Sequence, residues 1–169
     1  MSVIDIRPLT WDALLCCFLS GIIIGLERQL RGKPVGMRTS ALICLGTYIF
    51  IAITRQVSNQ ITDPSRIVGQ VITGIGFLGA GVIMARHGAV IGVTSASAIW
   101  VLAAIGVVIG LGFPWLGVKL ALLTVAILVG VEFVEHRFEF LQRGVHHNPK
   151  TRQQHPQGDQ PWRPTRDSQ

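Results

Sequence analysis

The chain has 169 residues, 49% of them hydrophobic and only 14% charged, with a net charge of +6. A soluble domain normally carries about a quarter charged residues, whereas positions 39–131 here hold only Arg55, Asp63, Arg66, Arg86 and Lys119. That stretch excludes a water-soluble globule and implies an integral membrane protein with a polar tail.

A helix crossing about 30 Å of hydrocarbon needs about 20 apolar residues. Five runs approach that length, at 11–26, 39–54, 67–84, 94–111 and 114–134. They are continuous rather than alternating, so helices are expected and strands are not. The expected fold is an all-α integral membrane protein, a bundle of about five transmembrane helices within residues 1–143. Residues 144–169 are rich in Gln, His, Pro and Arg, cannot bury enough surface to order themselves, and are read as a disordered cytoplasmic tail.

The first run contains a GxxxG pair, Gly21 and Gly25, and leads into Glu27 with no small-x-small cleavage site. It is expected to act as an uncleaved targeting segment. Cys16, Cys17 and Cys44 lie in apolar spans and read as small hydrophobes, not as a disulfide framework or metal knuckle. The loop that follows carries Arg28, Arg31, Lys33 and Arg38, against Arg7, Arg55 and Arg66 on the other side. The positive-inside rule then places the N-terminus in the periplasm and the C-terminus in the cytoplasm.

Glu27 is the residue in that loop that orientation does not explain, since an acid at a membrane boundary usually has a partner. Arg28 or Arg38 is the expected one, through a forked guanidinium–carboxylate contact. Direct participation in a ligand or partner site is the alternative for Glu27, Arg28, Arg38 and the adjacent Thr39.

Ahead of the third run, Asp63 is placed to cap a helix that has Pro64 at its first position. Arg66 and Gln70 stand one turn apart and could form a polar site on the outer face. The run itself carries Gly74, Gly76, Gly79 and Gly81. These read as helix-packing residues that allow close backbone approach. A sharper alternative is local unwinding that exposes backbone groups to an ion or solute.

The fourth run opens with Thr94, Ser95 and Ser97, where Thr94 or Ser95 could cap the helix, and contains a second GxxxG pair, Gly106 and Gly110. Nothing there supplies a nucleophile with its base. At the end of the fifth run, Glu132, Glu135, His136 and Glu139 share a face and read as a charged helix leaving the bilayer. No phosphate-binding loop, nucleophile elbow or metalloprotease motif is present. Neither an enzyme, a metal site nor a cofactor is expected. The basic residues mark loop ends without a nucleic-acid motif, and attraction to anionic lipid headgroups accounts for them.

Three segments carry a resemblance. Gly25-Leu-Glu-Arg-Gln, Gly36-Met-Arg-Thr-Ser-Ala-Leu and the long run Asp63-Pro-Ser-Arg-Ile-Val-Gly-Gln-Val-Ile-Thr-Gly-Ile-Gly-Phe-Leu-Gly-Ala-Gly-Val-Ile-Met closely resemble the MgtC/SapB family, over about residues 14–112. The resemblance implies a bacterial inner-membrane protein of about five helices, linked to adaptation to low magnesium or to virulence. It implies a regulator acting through other membrane proteins, the proton-translocating ATP synthase among them. The best-known virulence members carry a folded C-terminal domain where this chain has a short polar tail. The family's inner-loop pattern is also altered, with Ile91 before Gly92 where an Arg is common.

The expected function is that of a non-enzymatic accessory protein which binds other membrane proteins and could self-associate. A small oligomeric ion or solute transporter, related to magnesium, is the alternative.

Overall fold

The computed structural model describes residues 6–57, 64–86 and 89–137. Five helices follow one another: α1 (Trp11–Leu30), α2 (Met37–Val57), α3 (Pro64–Gly81), α4 (Val93–Gly110) and α5 (Pro114–Arg137). Four of them contain segments long and apolar enough to cross a membrane: Trp11–Leu30, Met37–Arg55, Val93–Gly110 and Pro114–Val134. α3 is not among the four; Arg66, Gln70 and its glycines dilute its apolar character. The helical bundle read from the sequence is therefore present, and the tail from 144 on lies outside the described residues.

Each helix differs from its apolar run at one end or both, and α3 is shifted at both ends by three residues. α3 starts three residues earlier than 67, because proline is preorganised for a first helical turn, and it stops at Gly81. Its expected last residues leave the helix for a short antiparallel hairpin, β1 (Met84–Arg86) and β2 (Ala89–Ile91). Strands were not expected anywhere. This pair lies between helices rather than within a span, where a lone strand could not satisfy its backbone.

The core is built by α1, α2 and α4. Cys16, Cys17 and Ile24 of α1 meet Cys44 and Tyr48 of α2 and Ile99, Leu102, Ile105 and Ile109 of α4, all buried. The three cysteines are free thiols inside this core, in keeping with their reading as small hydrophobes.

Glycines set how closely these helices approach. A Cβ placed on Gly21 would lie 2.4 Å from the Ala41 Cα, and one on Gly25 would lie 2.5 Å from the Met37 Cα. On α4, a Cβ at Gly106 would meet the Cys44 carbonyl at 2.6 Å, and one at Gly110 the Ile51 Cβ at 2.6 Å. Both GxxxG pairs thus lie where helix backbones touch, in the manner of membrane helix packing.

α5 joins the core through its first half. Ala121 is buried, and a Cβ on Gly117 would lie 2.5 Å from Ile109. Farther along, Leu122, Leu123, Ile127, Val131 and Phe133 are exposed, as lipid-facing residues would be. Residues from Val134 on form a separate unit, described only as the last turn of this helix, to Arg137.

α1 ends in a tight reversal. Gly32 adopts a left-handed φ of 61° while the Lys33 N–H donates to the Arg28 carbonyl at 2.9 Å, the closure that favours glycine after a helix. This short turn brings the start of α2 back beside Gly25, and it fixes the setting of Glu27, Arg28 and Arg31.

Candidate functional site

A polar cluster occupies the end of the bundle where α1 stops and α4 begins. Arg28 is only 3% exposed and donates from Nη2 to the Ser95 hydroxyl, at 2.6 Å, in the first turn of α4. Glu27 is 9% exposed, and its Oε1 accepts from Arg31 Nε at 2.6 Å, one helical turn away. Arg31 also pairs with Glu132 of α5, so one guanidinium joins the end of α1 to the later part of α5.

These contacts correct the expected pairing. Glu27 takes Arg31 rather than Arg28 or Arg38, because the i,i+4 spacing brings Arg31 over it on the helix surface, whereas the adjacent Arg28 points inward to α4. Buried polar groups normally find partners. Among the described residues three side-chain atoms do not: Glu27 Oε2, Arg28 Nε and Ser20 Oγ. The Ser40 hydroxyl, also buried, is satisfied by the Val35 carbonyl at 3.3 Å.

A second group of the expected residues meets between α2 and α3. Thr39, Gln70 and Gly74 line a cleft of about 640 Å³ together with Gly46, Thr47 and Thr54. Arg38 is exposed in the first turn of α2, and Arg66 in the first turn of α3. Thr94 is exposed beside the Arg28–Ser95 contact. Asp63, with its expected cap, lies outside the described residues.

The third-span glycines behave differently from those of the core. Among the described residues, a Cβ on Gly69, Gly74, Gly76 or Gly81 would meet nothing within 4 Å, and Gly79 alone comes near Ala96, at 3.8 Å. Their expected packing role is thus not met by this chain's own helices, apart from Gly79. Nor is the helix unwound at 74–81, since α3 runs unbroken to Gly81.

Gly69, Thr73, Gly76 and Ala80 recur at three- and four-residue steps and form one exposed stripe. The Thr73 hydroxyl donates to the Gly69 carbonyl at 2.9 Å, which leaves a flat small-residue surface. On its inner side α3 packs loosely, with the α2 cleft on one flank and an apolar void of about 210 Å³ against Trp100 and Val107 of α4 on the other.

Sequence reasoning missed Arg31 and Glu132 as members of the cluster and did not connect Ser95 to Arg28. The i,i+4 spacing would have found Arg31. The Ser95 contact joins positions 67 residues apart, a separation at which no local pattern speaks.

Comparison with known proteins places this architecture. The chain is 44% identical over 112 residues to YhiD of Escherichia coli K12, a match spanning 62% of this chain and 52% of that protein, whose name proposes magnesium transport. It is 40% identical over 151 residues to a protein of Haemophilus influenzae Rd, covering 84% and 60% of the two chains. It is 46% identical over 99 residues to Protein MgtC of Salmonella typhimurium LT2, covering 59% and 42%. These matches take in about half the length of the curated relatives. No solved structure matches. The MgtC family model covers residues 14–137, past position 112 and on to the end of α5, and the chain is a membrane protein that belongs to the MgtC family.

Proposed function

We propose that this protein is a non-enzymatic accessory protein of the bacterial inner membrane that docks onto another membrane protein through α3. The observation that carries the reading is the open glycine stripe. In the core, Gly21, Gly25, Gly106, Gly110 and Gly117 each face another helix too closely for a side chain. The outer stripe of α3 uses the same chemistry with none of the described helices against it. A glycine inside a helix costs about 1 kcal/mol relative to alanine. Gly69 and Gly76 incur that cost without a contact among the described residues, and a closely approaching second helix would offset it.

With α3 as a fifth crossing, the basic first loop supports a periplasmic N-terminus and a cytoplasmic C-terminus. By resemblance, the proton-translocating ATP synthase is the first partner to examine. The transporter reading has the α2–α3 cleft in its favour. Its polar lining consists of Thr39, Thr47, Thr54 and Gln70, however, all neutral, whereas magnesium is normally held by carboxylates. Docking is the better supported function.

Replacing Gly76 with leucine (G76L) is expected to abolish co-purification of the partner while leaving insertion intact and thermal stability unchanged or slightly raised, because a Cβ there meets none of the described residues and leucine is the better helix former. Co-purification that survives G76L would overturn the reading.

A further inference from the structure

The contact between Arg28 and Ser95 has an electrostatic peculiarity. α4 begins at Val93, and its N-cap is Gly92, which has no side chain to accept from the first-turn amides and makes no capping bond. The first intrahelical bond from this end runs from the Ala96 N–H to the Gly92 carbonyl at 2.9 Å. The amides of Val93, Thr94 and Ser95 therefore have no acceptor within the helix. The same end carries the positive pole of the helix dipole, which favours an anion and opposes a cation.

Yet the side chain directed at this turn is a guanidinium. Arg28 is 97% buried by its 3% exposure, and its Nε–H has no partner. Its carboxylate neighbour Glu27 pairs through Oε1 with Arg31, and among the described residues no ion pair joins it to Arg28. Gly92 cannot be exchanged for a capping residue: its φ is 92°, and a Cβ there would lie 2.1 Å from the Val82 carbonyl oxygen. The backbone thus keeps this helix end without a side-chain cap.

We propose that the N-terminal turn of α4, with the Arg28 guanidinium and the Ser95 hydroxyl, binds a phosphate-type oxyanion. The anion accepts from the first-turn amides, as anions do at helix N-termini, and from Arg28 Nε. The Ser95 oxygen accepts from Arg28, so its own proton is free to donate to the same anion. The site lies at the boundary end of α1 and α4, the depth at which lipid phosphates and soluble phosphates are both available.

The test is equilibrium dialysis of the full chain in neutral-detergent micelles against radiolabelled inorganic phosphate. Saturable binding is expected. It should be lost in R28Q and weakened about tenfold or more in S95A, the change expected for one hydrogen bond to a charged group. S95A keeps the helix and decides the matter if R28Q does not fold.

Phosphatidylglycerol added to the same micelles separates the two sources. Displacement of the label assigns a lipid phosphate, and persistence of the label assigns a soluble one. Absence of saturable binding, or affinity unchanged in S95A, would overturn the proposal.

Discussion

Replacing Gly21 with leucine (G21L) will part α1 from α2 and lower the unfolding free energy by about 3 kcal/mol or more. A Cβ alone at this position would overlap the Ala41 Cα at 2.4 Å and the Ala41 nitrogen at 2.6 Å. These are backbone atoms of a helix, which no change of rotamer can move. Leucine adds three further carbons where the first already has no room. The nearby Cys17 and Cys44, both fully buried, would lose their packing as the helices separate. Unfolding in mixed micelles of increasing dodecyl sulfate content reads the effect, and the G76L chain is the control. The same glycine-to-leucine change at position 76 should leave the midpoint at or slightly above that of the parent.

The second large effect is expected at Glu27. Alanine there (E27A) removes a carboxylate that is 9% exposed and 2.6 Å from Arg31 Nε. Removing one member of a buried ion pair strands its partner. The cost here should be moderated, because Arg31 is a quarter exposed and keeps Glu132. A loss of about 2 kcal/mol is the expected result in the same titration. E27Q keeps the shape and one acceptor oxygen and should lose about half as much. If E27A were neutral, the Glu27–Arg31 pair would not be holding the end of α1.

The bundle was legible in the sequence because membrane insertion imposes a long apolar run on each crossing helix, and α1, α2, α4 and α5 have one. The GxxxG pairs at Gly21 and Gly25 and at Gly106 and Gly110 were legible for a related reason: their four-residue spacing puts both glycines on one face. The glycines of α3 were harder to read. Their abundance shows that close approach is possible, but not which faces are occupied, and Gly76 turned out open while Gly21 is pressed against α2.

The hairpin at 84–91 gave no signal, since three-residue strands are too short for alternation to emerge. The polar cluster divides in the same way. Glu27 and Arg31 are neighbours by helical geometry, whereas Arg28 with Ser95, and Arg31 with Glu132, meet only because the fold brings distant segments together.

The central claim is that α3 presents its small-residue stripe to another membrane protein. Phe77 is 81% exposed and flanks that stripe, and Phe18 of α1 is 54% exposed on a different helix. Replacing each in turn with a photo-crosslinking phenylalanine analogue and irradiating intact cells compares the two faces directly. The account predicts a discrete adduct with another membrane protein from position 77 and none from position 18. No adduct at 77, or the same adduct from both positions, would contradict it.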